Sequence, residues 1–216
     1  MFDAFFQRLM RRPALDDSRW VVLDVESSGL DPRRDRLLAV AAVAVRVQGT
    51  RPLIDLGDSF EVVLQQAAST AVPDKANILL HGIGVGAQRA GTAPPLALRA
   101  LARFVGASPL IAFHAAFDRA LIDRAFQAEL GRALPNAWLD LEPLAAVLHP
   151  RASARSLDEW MAHFGITCAV RHQAAADTLA TAELLLKLWP ALTVQLPRPR
   201  FRAVASLAAQ RRWVQG

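Results

Sequence analysis

Two acidic residues interrupt the most β-prone apolar stretch near the start of the chain. The segment VVLDVESSGLD, Val21 to Asp31, begins as a buried strand would, yet it carries Asp24 and Glu26. Because side chains at positions i and i+2 of a strand point to the same face, both carboxylates enter one small volume beside the core. Burying two like charges without partners costs several kcal/mol. We therefore expect the fold to place a cationic group between them.

Two further acids fall on the inner faces of predicted helices. Asp118 shares a helical stripe with Ile122 and Ala125, and Asp177 shares one with Leu184, so both acids point toward the sheet. Together with the two acids of the strand they make four inward carboxylates, which hard cations with oxygen ligands satisfy most economically. The chain contains one cysteine. This ligand set favours Mg²⁺ or Mn²⁺ over Zn²⁺.

The order of apolar runs and turn signals predicts an α/β fold. Strands are predicted at Trp20–Val25, Leu37–Val47, Leu53–Leu64, Pro109–Phe113 and Ala137–Leu139. Helices are predicted at Leu96–Val105, Ala116–Leu130, Pro143–Leu148, Leu157–Phe164 and Gln173–Leu188, the last closed by Pro190. The first three strands form an antiparallel ribbon with a hairpin around Gly49, and Pro73–Pro95 is interpreted as a loop with one helical turn. Three strands followed by alternating helices and strands imply a mixed sheet flanked by helices.

The chain is predicted to hold one domain with two short appendages. Residues 1–19 are interpreted as an amphipathic helical extension without the order of a signal peptide, residues 20–190 as the domain, and residues 191–216 as a basic tail. For the Arg198–Arg212 part of this tail, a solvated, mobile end is favoured over contact with a phosphate backbone. The longest apolar run, Leu37 to Val45, is too short to cross a bilayer as a helix, so no membrane partner is expected. The single cysteine, Cys168, fits a reducing cytoplasm.

The basic composition is compatible with a nucleic-acid partner. Arginine supplies 23 of the 25 basic residues, and the net charge is +5 with a pI near 10.8. Guanidinium groups grip phosphates bidentately and stack on bases. On charge alone, however, a solvated arginine-rich surface is the better interpretation. A nicotinamide enzyme is disfavoured, because the glycines of Gly82–Gly86 have the wrong spacing for a dinucleotide fingerprint.

Three motifs occur in order between residues 20 and 188. They are D-V-E at Asp24 to Glu26, FHAAFD ending at Asp118, and RHQAAAD, in which His172 precedes Asp177 by five residues. This set resembles the exonuclease motifs of the DEDD superfamily, and its H-x-A-x-x-D spacing resembles the histidine branch. That branch is the DnaQ-like group that includes the proofreading epsilon subunit of bacterial DNA polymerase III. The sister branch, which uses tyrosine, is excluded because the chain contains no tyrosine.

The resemblance implies a ribonuclease H-like sheet of five strands and a two-metal nuclease. The four acids would hold two Mg²⁺ or Mn²⁺ ions, which in such sites lie roughly 3.5–4 Å apart and stabilise the attacking and leaving oxygens of a phosphodiester. His172 would take the proton of the attacking water, since histidine has a reference pKa near 6.5. The family's reaction is 3′-to-5′ hydrolysis that releases nucleoside 5′-monophosphates.

The resemblance also suggests residues that contact the substrate. The family usually has Thr-Thr-Gly where this chain has Ser27-Ser28-Gly29, which keeps the hydroxyls. Leu30 resembles the residue that packs on the terminal base. His114 and the H-G-I segment at His81 are candidates for substrate contact, and a structural hydrogen bond is the alternative for each histidine. Asp140 resembles a structural acid of the family rather than a metal ligand.

The leading hypothesis is a metal-dependent 3′–5′ exonuclease that acts on single strands or frayed ends, with DNA favoured. Two alternatives stay open: a polymerase-associated or nucleic-acid-binding module whose main role is partner recognition, and an exoribonuclease. The choice between DNA and RNA depends on contacts to the 2′-hydroxyl that the sequence does not display. A polymerase or sliding clamp is a candidate partner, although the basic tail contains no convincing clamp-binding peptide.

Overall fold

A computed structural model of the protein describes residues 15–48, 51–67, 78–79, 81–168 and 170–210. Within these residues one sheet has the strand order β3-β2-β1-β4-β5. Its strands are β1 (Arg19–Ser27), β2 (Leu37–Gln48), β3 (Arg51–Val63), β4 (Leu110–Ala112) and β5 (Trp138–Asp140). The first three are antiparallel, whereas β4 runs parallel to β1, and β5 runs parallel to β4. The predicted mixed sheet is therefore confirmed.

Helices cover both faces of this sheet. They are α1 (Val85–Ala90), α2 (Pro94–Val105), α3 (Ala116–Leu130), α4 (Leu141–Leu148), α5 (Leu157–Phe164), α6 (Ala174–Gln195) and α7 (Phe201–Ala209). Helices α3 and α5 end as predicted at Gly131 and Gly165, which have φ values of 66° and 64°. A search of the described residues found no helix with the length and apolar character needed to cross a membrane.

The alternation of side chains along β1 decides where the acids emerge. Val21 and Leu23 belong to the core under α2 and α3, and Trp20 and Val22 belong to the core under α4 to α7. Because the pattern has a period of two, Asp24 continues the second of these faces. The acids of β1 therefore appear on the sheet face that α6 covers.

The loop prediction for Pro73–Pro95 is only partly correct. Residues 85–90 form the short helix α1, while residues 68–77 and 80 lie outside the described residues. The predicted turn at Gly49 and residues 1–14 of the predicted extension also lie outside them. These two features stay predictions.

The predicted end of the last helix near Pro190 is wrong. Helix α6 continues through Pro190 to Gln195. A proline inside a helix removes the hydrogen bond to the carbonyl four residues earlier, here that of Leu186. Trp189 and Leu192 on either side are buried in the core, and their packing holds the helix together across this gap. The upper limit of the domain predicted at residues 20–190 therefore falls within a continuous helix.

The prediction of a solvated, mobile tail is wrong for Phe201–Ala209. This segment forms helix α7, and its apolar stripe of Phe201, Val204 and Leu207 is buried. The ring of Phe201 meets Trp20 edge-on at a centroid distance of 5.5 Å. The charge of the flanking arginines obscured this helical spacing in the sequence, and residues 211–216 lie outside the described chain.

We expect Phe201→Ala to destabilise the whole domain. Removing a buried phenylalanine side chain from a packed core lowers the free energy of unfolding by about 3–5 kcal/mol. For a chain of this size each kcal/mol shifts Tm by roughly 2–4 °C. Thermal and urea unfolding would measure the loss. The exposed neighbour Arg202, changed to Ala, is the matched control with an effect within about 0.5 kcal/mol; equal, small effects of the two substitutions would mean that α7 is not part of the core.

Candidate active site

A cavity of about 400 Å³ opens at the carboxyl ends of β1 and β4. It is lined by Asp24, Val25, Glu26, Ser27, Gly29, Leu30, Phe113, His114, Phe117, Asp118, His172 and Asp177. All five residues predicted to carry the chemistry, Asp24, Glu26, Asp118, His172 and Asp177, stand around this one space. Segments that are far apart in the sequence therefore meet at a single site.

Three elements deliver the four acids. Asp24 and Glu26 project from β1, while Asp118 lies in the first turn of α3 and Asp177 in the first turn of α6. Only 4% of Asp118 and 7% of Asp177 is exposed. The N-terminal end of a helix dipole favours a negative charge. Two helices thus offset part of the cost of burying these carboxylates.

Two histidines of the cavity have strained backbones. His114 has a φ of 58° and His172 a φ of 61°, which is the left-handed region that few residues other than glycine adopt. The backbone N–H of His114 donates to Asp140 Oδ1 at 3.0 Å, and that of His172 donates to Asp177 Oδ2 at 3.2 Å. Strain of this kind is typical of functional sites and persists where neighbours fix it. Here carboxylates fix both turns, which also gives Asp140 a structural role.

Three of the four acids have raised pKa values. Burial and then the charges of Asp118, Asp177 and Glu26 raise the pKa of Asp24 well above its usual value. Burial and then the charge of Asp177 raise the pKa of Glu26 to about 8. Burial raises the pKa of Asp118 to about 7. Groups that resist ionisation in this way indicate a site whose charge balance is incomplete.

We expect the raised pKa of Glu26 to appear as a pH dependence of stability in the presence of a chelator. The pKa rises from 4.5 to about 8, so between these values the folded state holds a proton that the unfolded state has released. Stability therefore falls as pH rises through this window. Thermal unfolding in EDTA from pH 5 to 8 measures the slope, which Glu26→Gln should flatten. Glu129→Gln, at an exposed position of α3, should leave the wild-type slope; a flat wild-type profile would contradict the prediction.

The structure shows a cation that the sequence interpretation missed. The guanidinium of Arg171 hydrogen bonds through Nη1 to Asp177 Oδ1 and through Nε to Asp158 Oδ1. Burial alone would lower the pKa of Arg171, but the hydrogen bonds to Asp158 and Asp177 outweigh this effect and raise its pKa above the usual value. The charge of Arg171 in turn lowers the pKa values of Asp24 and Glu26. Its place directly before His172 in the third motif is the sequence signal that could have identified it.

The donor chemistry of the cavity fits a hard divalent cation. Its four carboxylates offer the oxygen ligands that Mg²⁺ and Mn²⁺ take. Nevertheless, no three His, Cys, Asp or Glu side chains among the described residues have the spacing of a finished metal site. Asp177 is bonded to Arg171 and to the backbone of His172 instead. A metal ion held by all four acids would therefore compete with Arg171 for Asp177.

The predicted substrate contacts divide into two groups. Ser27, Gly29, Leu30 and His114 line the cavity, and Leu30 is 90% exposed at its mouth. His81 is not among the residues around it. The Nδ1 atom of His81 accepts a hydrogen bond from the backbone N–H of Ile83 at 3.0 Å, which agrees with the structural alternative.

Ser28 also points away from the cavity and closes the loop between β1 and β2. Its hydroxyl donates to Asp35 Oδ1 and accepts from the backbone N–H of Arg36, both at 2.9 Å. A Cβ atom at Gly29 would lie 2.5 Å from Asp35 Oδ2. The carboxylate of Asp35 therefore packs directly on Gly29, and this loop supports the exposed Leu30.

A larger cavity of about 570 Å³ lies at the opposite end of the sheet. It is bounded by residues 106–107 and 135–138, which precede β4 and β5, and by residues of α7. Its lining contains no carboxylate or histidine, and Arg202 is the charged residue in it. The smaller cavity is the candidate active site because it contains the reactive groups.

Comparison with known proteins agrees with this arrangement. The model of the Exonuclease family matches residues 21–185. The chain is 36% identical over 188 residues to a DNA polymerase III subunit epsilon-like protein of Rhodobacter capsulatus, which covers 82% of this chain and 25% of that protein. It is 30% identical over 174 residues to a PolC-type DNA polymerase III of Clostridium perfringens, covering 78% and 11% of the two chains. The chain thus spans a quarter or less of the length of these relatives.

Solved structures of exonuclease I share the fold. One matches with a TM-score of 0.65 and 18% identity over 82% of this chain and 44% of the other. A zinc-bound E. coli exonuclease I in complex with single-stranded DNA matches with a TM-score of 0.66 and 19% identity over 85% and 42%. At these identities the likeness shows the predicted ribonuclease H-like fold.

Proposed function

The chain belongs to the Exonuclease family, as a DnaQ-like member of the DEDD superfamily, and on this basis we propose that it is a metal-dependent 3′–5′ exonuclease. Its substrate is single-stranded or frayed nucleic acid, DNA in preference to RNA, and its products are nucleoside 5′-monophosphates. The observation that carries the proposal is the single cavity shared by four acids and His172. In this proposal the catalytic domain begins at residue 20 and extends past the predicted limit at residue 190, because α6 continues to Gln195 and α7 packs on the core.

The side chains of the cavity have separate roles in the proposed reaction. Asp24, Glu26, Asp118 and Asp177 would hold two Mg²⁺ or Mn²⁺ ions, which when bound supply Lewis-acid activation and neutralise charge on the phosphodiester. His172 accepts the proton of the attacking water as general base. The left-handed backbone at this position holds the histidine at the start of α6, beside Asp177.

The shape of the site favours a terminal nucleotide that has left its duplex. The cavity of about 400 Å³ has the size of a small-molecule site. A base must unstack and unpair before it can enter such a site. Leu30 at the mouth, with Phe113 and Phe117 in the wall, offers apolar contacts to that base. Single strands and frayed 3′ ends are accordingly the proposed substrates.

The preference for DNA and a polymerase partner rest on the relatives. The two relatives compared above are named as a DNA polymerase III subunit epsilon-like protein and a PolC-type DNA polymerase III, and an exonuclease I neighbour was solved with single-stranded DNA. We propose a replicative polymerase or its clamp as the partner, in a role that accompanies the nuclease activity. Co-purification of the full chain with polymerase subunits would support this role, and failure to bind any of them would contradict it.

A labelled oligonucleotide tests the proposed activity directly. With Mg²⁺ or Mn²⁺, a 5′-labelled single strand should yield a ladder of progressively shorter products, and a 3′-labelled strand should release labelled mononucleotide at once. EDTA should stop both reactions. Matched RNA and blunt duplex DNA should react more slowly. Intact single-stranded DNA after long incubation with the metal-loaded protein would refute the proposal.

A further inference from the structure

We propose that Arg171 is an internal counter-ion of the active site, which competes with the divalent cation for Asp177 and is drawn aside by Asp158. The inference rests on the ligand set of the proposed function. It adds a residue that tunes the affinity for the metal. Three observations carry it: the bonds of Arg171, the charge around it, and the engagement of both oxygens of Asp177.

The guanidinium of Arg171 connects two acids of unlike environment. The side chain of Asp177 is 10% exposed, whereas that of Asp158, in the first turn of α5, is 62% exposed. The side chain of Arg171 between them is 24% exposed. Arg171 therefore has one partner inside the site and one at the surface. The surface partner remains available to it if the inner bond is broken.

Arg171 is the cationic side chain that forms an ion pair with one of the four acids. Among the ion pairs of the described residues, only the pair between Arg171 and Asp177 involves one of the four acids. A divalent cation in the cavity would place two further positive charges near the guanidinium. Like charges at short range in a partly buried site repel each other strongly. Each cation therefore weakens the binding of the other.

Both oxygens of Asp177 are already engaged. Oδ1 accepts from Arg171 Nη1 and, at 4.0 Å, from Cys168 Sγ, and Oδ2 accepts from the backbone N–H of His172. A metal ion at Oδ1 would meet the charge of Arg171 there and favour its departure, and the bond from Arg171 Nε to Asp158 Oδ1 provides the alternative anchor. The fraction of molecules in which Asp177 is free then scales the apparent metal affinity.

The competition predicts opposite effects of two substitutions on Mn²⁺ binding, measured by isothermal titration calorimetry on the full chain without nucleic acid. Arg171→Gln removes the competitor and should lower the Kd for Mn²⁺ about tenfold, within the range of 5–150-fold typical of coupled sites. Asp158→Asn removes the charge of the surface partner, so Arg171 should bind Asp177 more firmly and the Kd for Mn²⁺ should rise severalfold. Arg171→Lys, which keeps the charge, should remain closer to wild type than Arg171→Gln.

A purely structural role of Arg171 gives a different pattern. If Arg171 only braced the loop before α6, both Arg171→Gln and Asp158→Asn would weaken Mn²⁺ binding. Arg155→Gln, which removes an exposed positive charge near the start of α5, is the control for the change in net charge and should leave the Kd unchanged. Equal shifts for Arg155→Gln and Arg171→Gln, or shifts of one sign for Arg171→Gln and Asp158→Asn, would overturn the inference.

Unfolding measurements give a second test of the competition that does not depend on nuclease activity. In EDTA, Arg171→Gln should melt below wild type, because Asp177 loses its cation, and saturating Mn²⁺ should raise its Tm by more than it raises that of wild type. If Arg171→Gln fails to fold, Asp158→Asn and Arg171→Lys still decide between the two roles.

Opposite shifts in Kd without any hydrolysis of DNA would sustain the inference and contradict the proposed function. Hydrolysis with unchanged Kd values would do the reverse.

Discussion

Asp24→Asn is expected to abolish hydrolysis of the oligonucleotide and yet to melt at a higher temperature than wild type in EDTA. Metal ions supply several kcal/mol of charge stabilisation in the transition state, and each 1.36 kcal/mol corresponds to a tenfold change in rate. Losing one of the four proposed metal ligands should therefore lower kcat/KM by at least about 10³-fold. The gain in Tm follows because Asp24 is buried among acids that repel its charge.

Measuring both quantities on the same preparation separates loss of chemistry from loss of fold. Activity is followed on the 5′-labelled single strand, and Tm is measured with and without Mn²⁺. Glu129→Gln removes an acid from an exposed position of α3 and should change neither quantity. A variant of Asp24 that retains a tenth or more of the wild-type rate would contradict the role of Asp24 as a metal ligand.

His172→Asn should lower kcat by about 10²–10⁴-fold, the usual contribution of a positioned general base. Asparagine is chosen because it tolerates the left-handed backbone that this position requires, with φ at 61°. KM and the Kd for Mn²⁺ should stay close to wild type, since the four acids remain. Because a base must be deprotonated to act, the rate of the wild type is expected to fall at low pH, and the variant should lose that dependence.

A second histidine supplies the control for this prediction. His163 lies on α5 at an exposed position outside the cavity, and His163→Asn should leave the pH–rate profile intact. If His172→Asn keeps the wild-type kcat across the whole pH range, the proton of the attacking water goes to another acceptor. If His172→Asn loses Mn²⁺ binding as well, His172 acts on the metal site and not as a base.

The sequence was sufficient to predict the gathering of the acids. Period-two alternation in β1 and helical stripes around Asp118 and Asp177 depend on backbone geometry that every strand and helix shares, so they carry over directly to the structure. The ends of α3 and α5 were predictable for the same reason, because Gly131 and Gly165 supply the left-handed residue at each C terminus. Local geometry therefore predicted the inner face of each element, whereas the ribonuclease H-like sheet was implied by the resemblance of the three motifs.

The wrong predictions concern segments in which packing between residues far apart in the sequence outweighs a local sequence signal. Pro190 stops a helix in isolation, but the burial of Trp189 and Leu192 carries α6 past it. The arginines around Phe201 suggested solvent, whereas contact with Trp20 draws this segment into the core. The position of Arg171 beside His172 was visible in the sequence, but its bond to Asp158 was not, nor was the bond of Ser28 to Asp35, because both depend on residues that meet only in three dimensions. Side-chain partners of this kind are not encoded in spacing.

The alternation along β1 restricts the changes that this strand accepts. Inserting or deleting one residue between Trp20 and Asp24 would move every later side chain of β1 to the opposite face of the sheet. Asp24 would then enter the apolar layer under α2 and α3, and Leu23 or Val25 would take its place in the cavity. Single substitutions in this segment leave the two faces of β1 in place, whereas a change of its length by one residue does not. The alternation of odd and even positions thus keeps Asp24 in the cavity and its apolar neighbours in the core.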